Sequence, residues 1–236
     1  MERLDGYVAQ RASITRKDAK NAIKRGRVAV DGVAERSPER KIDGERVSFD
    51  GVILPQSPFI YILMNKPAGV LSASEDKRAQ TVIDLLPEML LRRNLFPVGR
   101  LDKDTTGFLM ITNNGDAAHR LLAPASHVDK VYEAELDGDA DEATVAAFEK
   151  GVELGEFTAM PAALLPLGGC RARVTLREGK FHQVKRMFAA CGLTVLKLRR
   201  VEFGGVKLPD DLPEGQARLM TESELETLGI VKWTAK

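Results

Sequence analysis

The first 55 residues carry two helical apolar stripes followed by short paired strands. Leu4 and Val8 lie four apart, and Ala19, Ala22 and Ile23 share one helical face. Thr15-Arg16-Lys17-Asp18 has the form of a capping box at the start of the second stripe, and Gly26 is placed to end it. Two Asp-Gly turns follow, Asp31-Gly32 after Val28–Val30 and Asp50-Gly51 after Val47–Phe49, each leading back into apolar residues and so predicting hairpins. Pro55-Gln56-Ser57-Pro58 interrupts the pattern with two prolines, as a linker does. Beyond it a near-continuous apolar strand over 59–64 turns at Asn65-Lys66-Pro67-Ala68-Gly69. A helix is predicted over 81–91, with Pro87 kinking or ending it, and a buried strand over 108–112. Asn113-Asn114-Gly115-Asp116 turns into a helix running through Leu122. Strand Lys130–Leu136, helix 143–150, strand 171–177, helix 182–190, strand 195–201 and helix 222–228 complete the series. Strands and helices mix without strict alternation, which predicts an α+β fold: a small domain over residues 1–55, a linker over 56–58 and a mixed-sheet domain over 59–236.

At 236 residues, with 44% apolar and 29% charged, the chain has enough material for one full-sized core and a smaller one. No apolar run approaches the roughly 20 residues that cross a bilayer, and the N-terminus lacks an apolar signal core, so a cytoplasmic protein without a membrane partner is expected. Cys170 and Cys191 stand in neither metal-ligand nor redox spacing and are expected to be reduced. The net charge of +1 conceals a local asymmetry. Between Arg11 and Arg27 seven bases face one acid, Asp18; between Arg171 and Lys207 ten bases face Glu178 and Glu202. Two basic patches in a near-neutral chain point to a polyanionic partner.

Gly99-Arg100-Leu101-Asp102-Lys103-Asp104-Thr105-Thr106-Gly107 sets an acid beside an arginine between two glycines, just before the strand over 108–112. A loop anchored on a rigid strand can present a reactive carboxylate, and Asp102 is the candidate. Read alone, the segment leaves three possibilities open. Asp102 and Asp104 can satisfy backbone amides in a turn. Asp102-Lys103-Asp104-Thr105-Thr106 also fits the Asp-x-Asp-x-Thr pattern of haloacid-dehalogenase-type phosphatases. That family needs its first aspartate at the end of the first strand and a later acidic pair for magnesium; here Asp141-Glu142 opens a helix and Asp210-Asp211 sits between prolines.

The third possibility is a resemblance that spans nearly the whole chain. The segment over 99–107 resembles the active-site segment of RsuA-type pseudouridine synthases, which modify ribosomal RNA. Leu63-Met64-Asn65-Lys66-Pro67-Ala68-Gly69-Val70 is similar to that family's first motif, Lys130-Val131-Tyr132-Glu133-Ala134 to its tyrosine-bearing strand, and Glu178-Gly179-Lys180-Phe181-His182-Gln183-Val184-Lys185-Arg186-Met187 to its late basic motif. The N-terminal helix-helix-strand unit resembles the small RNA-binding domain named after ribosomal protein S-four.

The resemblance implies an isomerase that needs no metal or organic cofactor. Asp102 would be the essential aspartate, Tyr132 the ring stacked on the target base, and Lys185 the cation paired with Asp102, where the family holds Arg or Lys. Without the resemblance Tyr132 reads as a strand residue in the core. His119, His127 and His182 read as capping or packing groups, with RNA positioning the functional use left for His182. RNA contacts are expected from Arg3, Arg16, Lys17, Lys20, Lys24, Arg25 and Arg27 in the first domain, and from Lys66, Arg100, His182, Gln183 and Arg186 in the second. Asp104 is expected as a structural member of its loop. Thr105-Thr106 and the late motif favour the small-subunit enzyme, hence uridine 516 of 16S rRNA, acting as a monomer on RNA or on a small-subunit assembly particle. The alternatives are a large-subunit (23S) enzyme and a non-catalytic RNA-binding or ribosome-assembly protein of the same fold.

Overall fold

A computed structural model of the chain describes residues 1–230 and contains two compact units. The first holds Met1–Ile60 and Arg92–Asn94. Its elements run β1 (Glu2–Arg3), α1 (Leu4–Arg11), α2 (Arg16–Lys24), β2 (Val28–Val30), β3 (Val33–Glu35), β4 (Lys41–Ile42), β5 (Val47–Phe49) and β6 (Val52–Ile53). Thr15 caps α2, its hydroxyl oxygen accepting the Asp18 amide at 3.1 Å. Both Asp-Gly turns form as the pattern predicts, and β3-β2-β5-β6 make a four-stranded antiparallel sheet. Leu4, Val8, Ala19, Ile23, Val28 and Val47 close the core between helices and sheet, each without solvent exposure. Pro55 and Gln56 do not swing free: their carbonyls accept hydrogen bonds from the Tyr7 hydroxyl and the Arg11 guanidinium.

The second unit holds Tyr61–Leu91 and Leu95–Ile230. It contains β7 (Tyr61–Lys66), β8 (Phe96–Pro97), β9 (Thr106–Thr112), α3 (Gly115–Leu122), β10 (Lys130–Leu136), α4 (Glu142–Lys150), β11 (Ala163–Pro166), β12 (Arg171–Leu176), α5 (Gln183–Ala190), β13 (Val195–Phe203), β14 (Val206–Lys207), β15 (Ala217–Leu219) and α6 (Glu222–Thr227). One sheet runs β11-β12-β10-β13-β9-β7-β15, with β8 added to β9 and β14 to β13. Every pairing is antiparallel except β9 with β13 at its centre, which makes the fold α+β.

The helix predicted over 81–91 does not form. Asp84 takes the amide and hydroxyl of Thr81, the Val82 amide pairs with the Leu71 carbonyl, and only a single 3-10 turn, Glu88–Leu90, survives after Pro87. Local aspartate bonding and a proline outcompete the helical pattern. Six short strands, β1, β4, β8, β11, β14 and β15, carry too little pattern to be read from the sequence.

The central parallel contact is narrow and depends on one glycine. Gly107 lies opposite Arg200 with φ of +101°, and a Cβ there would stand 2.2 Å from the Arg200 carbonyl oxygen. Only glycine lets the two backbones meet where the 99–107 loop enters β9. Gly107→Ala is expected to destabilise the protein by more than ~2 kcal/mol through strain and clash together. Urea denaturation checks this, and parental stability would contradict it.

Candidate active site

Three elements around the β9–β13 junction bring the predicted residues together. Asp102 comes from the loop before β9, Tyr132 from β10, and Lys185 from the first turn of α5. Asp102 and Tyr132 line a narrow cleft whose walls also include Arg100, Thr105, Leu176, His182 and Val184, while Lys185 lies outside that lining and pairs with Asp102. Tyr132 and Leu198 share one sheet face, because Tyr132 pairs with Arg200 and Ala134 with Leu198 in register. The cleft therefore has an apolar wall for a flat ring and a carboxylate at its edge.

The loop is fixed from beneath by one side chain. Lys66 ends β7 with no solvent exposure, and its ammonium lies 3.0 to 3.2 Å from the carbonyl oxygens of Pro67, Asp102, Lys103 and Thr105. Carbonyls turned inward leave the Asp102 side chain turned outward. Gly69 adds an amide to the Lys103 carbonyl at 2.7 Å, and the Ser72 hydroxyl bonds both the amide and the carbonyl of Leu101. Burial pulls the Lys66 ammonium down to about 8, against the opposing pull of Asp104 and Asp102. Lys66 was expected to contact RNA; its burial makes it the anchor of the loop instead.

Each oxygen of Asp102 faces a base. Oδ2 lies 3.2 Å from Lys185 Nζ, and Oδ1 lies 3.6 Å from His182 Nε2. Asp102 and Lys185 are each about three-quarters buried, so their attraction is less screened than that of a surface pair. Lys185 also donates to Asp104 Oδ1 at 2.6 Å, the shorter of its two contacts. Burial alone would lower the Lys185 ammonium, but the hydrogen bonds to Asp104 and Asp102 leave it raised, and the bond from Lys185 holds Asp104 low. Asp104 is thus not only a member of the loop: it shares the site's cation.

Several other expectations divide. Gln183 is 4% exposed and spent on structure, its amide donating to Glu178 and its carbonyl oxygen accepting the Lys180 amide, so it braces the entrance to α5 rather than facing RNA. Arg186 donates to the Leu154 carbonyl and pairs with Glu156. Arg100 is exposed at the cleft. In the first unit, fully buried Asp5 gathers Arg3 at 2.9 Å, Arg16 at 2.8 Å and Lys20 at 3.8 Å into one cluster. Arg27 pairs with Asp50, while Lys17, Lys24 and Arg25 are exposed.

The second basic patch is split by the strand period. Arg171, Arg173, Lys197 and Arg199 fall on the sheet face opposite Tyr132, where Arg173 pairs with Glu133 at 2.7 Å and Lys197 with Glu135 at 2.8 Å. Arg200 turns inward, 2% exposed, its Nε donating to the Phe108 carbonyl and its guanidinium 6.0 Å from the Tyr132 ring. Only the bases around α5 remain beside the cleft.

A carboxylate flanked by bases above an aromatic-walled cleft, on a mixed sheet, defines a class that the comparisons identify. The profile of the family described as RNA pseudouridylate synthase matches residues 60–161, which include Lys66, Asp102 and Tyr132. The chain belongs to the RNA pseudouridine synthase family. It is 41% identical over 233 residues to an uncharacterized RNA pseudouridine synthase of Bacillus subtilis, covering 96% of this chain and 98% of that one. It is 37% identical over 230 residues to the ribosomal small subunit pseudouridine synthase A of Escherichia coli, covering 96% and 99%. A crystal structure of a pseudouridylate synthase superposes with a TM-score of 0.68 at 34% identity, covering 97% of this chain and all of the other.

Replacing Lys66 by Met would strand buried carbonyls without a donor. At ~1 to 3 kcal/mol for each orphaned group, Lys66→Met should lose more than ~3 kcal/mol of stability, and a variant as stable as its parent would contradict the anchoring. Burial depresses the Lys66 ammonium to about 8, so an opened loop would hold the proton more tightly than the closed one, and opening should become harder as pH rises from 8 toward the ordinary lysine range. Amide exchange of residues 101–105, corrected for the intrinsic rate, should slow above pH 8, and acceleration there would contradict the depressed ammonium.

Proposed function

We propose that this protein converts a uridine of ribosomal RNA to pseudouridine, and that the substrate is small-subunit RNA, with uridine 516 of 16S rRNA as the target. The observation that carries the reading is the Asp102 carboxylate held between Lys185 and His182 at the edge of the Tyr132 cleft. The small-subunit assignment is supported by relatives called ribosomal small subunit pseudouridine synthase A in Escherichia coli and Pseudomonas aeruginosa, matched over nearly their whole length.

The reaction breaks the bond from uracil N1 to ribose C1′, turns the base and joins C5 to C1′. N1 gains a proton and C5 loses one, so no electron donor or added atom enters. In this reading the Asp102 carboxylate acts on the ribose or base, and the ion pair with Lys185 holds it in place. Tyr132 stacks on the uracil, whose extrusion from structured RNA costs a few kcal/mol. Its hydroxyl is the candidate base toward the ribose. Lys185 supplies charge without the two-pronged geometry of arginine, so it can bridge Asp102 and Asp104 as a point charge.

Residues 1–55 form an RNA-docking domain in this reading, with Lys17, Lys24 and Arg25 offering exposed charge and the Asp5-centred cluster fixing Arg3, Arg16 and Lys20 beside them. The protein acts as a monomer, on naked RNA or on an assembly particle.

Release of tritium from 16S RNA labelled at uracil C5 tests the proposal. The parent should release one equivalent per target, Asp102→Asn should fall to background, and Tyr132→Phe should keep RNA binding while losing roughly 100-fold in rate. No release from any ribosomal RNA or particle would refute the function, and full activity of Tyr132→Phe would limit that residue to stacking.

A further inference from the structure

Among the described residues one aromatic side chain stands largely in solvent. Phe181 is 72% exposed, the only aromatic ring among the exposed large apolar side chains of the described residues. It is not loose on the surface. Its ring stacks on the imidazole of His182 with centroids 3.8 Å apart and planes at 17°, and that imidazole lies 3.6 Å from Asp102. His182 adopts this place with φ of +51°, a left-handed conformation that a residue with a Cβ holds only where its surroundings impose it. The result is a two-ring stack rising from the reacting carboxylate, with the imidazole covering one face of Phe181 and solvent reaching the rest.

We infer that Phe181 is a stacking platform for the nucleobase next to the target uridine, an inference that rests on the proposed action on RNA. Turning a uridine out of a helical stack strips its neighbour of a stacking partner. A flat ring one stacking layer above the imidazole offers that neighbour a replacement at the edge of the cleft. Aromatic stacking tolerates any base, because every base presents a flat face. The surroundings suit a nucleotide more than an apolar protein surface. Lys180, half exposed, over the Phe157 ring and 4.0 Å from Glu178, and the exposed Arg100 line the cleft that His182 borders, so a nucleotide stacked on Phe181 meets positive charge nearby. Because Phe181 touches the neighbour and not the target, it positions the RNA and takes no part in bond making.

The test compares the parent with Phe181→Ala, Phe181→Leu and Phe181→Trp in tritium release from a 16S RNA transcript, with melting temperatures measured in parallel. Loss of a base-stacking partner should raise KM about 10-fold or more in the alanine and leucine variants, with the loss falling on KM rather than kcat. Tryptophan should restore the parental KM, and the exposed position should leave all melting temperatures alike. A parental KM in Phe181→Ala or Phe181→Leu, or a lowered melting temperature that accounts for their loss, overturns the platform. A parent that releases no tritium from any ribosomal RNA instead refutes the RNA-isomerase reading, and the platform with it.

Discussion

A single buried ammonium decides where the Asp102 carboxylate stands. Taking a lysine out of water costs several kcal/mol, and the cost is offset only when its hydrogens meet acceptors. At Lys66 the acceptors are four carbonyls, three of them from the loop that carries Asp102. The ammonium therefore holds the loop, and the loop's inward carbonyls hold the ammonium. Gly107 completes the arrangement by letting the strand after the loop lie against Arg200. Asp102 owes its place to backbone geometry, and only its electrostatics to the side chains above it.

Those electrostatics are shared. Lys185 serves two carboxylates, and its shorter contact goes to Asp104, which is mostly exposed, while Asp102 is mostly buried. An exposed pair is screened by water, so the contact with Asp104 is worth less than its short length suggests. Asp102 also has His182 on its other oxygen, and His182 in turn supports Phe181. Carboxylate, imidazole and exposed ring form one continuous series from the sheet to the solvent.

Much of this was legible in the order of residues, and the failures are instructive. Strand Lys130–Leu136 is readable to the residue because its polar and apolar side chains alternate. Helix α2 was readable because a cap, a stripe and a terminal glycine agree. The same reasoning overstated 81–91, where Thr81 and Asp84 bond locally and Pro87 stops propagation. Lys66 reads from the sequence as an RNA-contacting base because charge usually means exposure. The signal against that lay in its own strand, whose last five residues are all buried. Arg200 and Gln183 misled in the same way, since a basic or polar residue in a motif can be spent on a carbonyl as easily as on RNA. Counting bases located the positive regions of the chain but not the faces to which strand alternation would send them.

The central claim, a uridine isomerase of small-subunit ribosomal RNA that works through Asp102, is tested most directly in the cell. Pseudouridines in 16S and 23S RNA would be mapped in a strain lacking this protein and in the same strain supplied with the parental chain or with Asp102→Asn. The account predicts that one 16S pseudouridine disappears, returns with the parental chain and stays absent with Asp102→Asn. An unchanged 16S map, or restoration by Asp102→Asn, would contradict it.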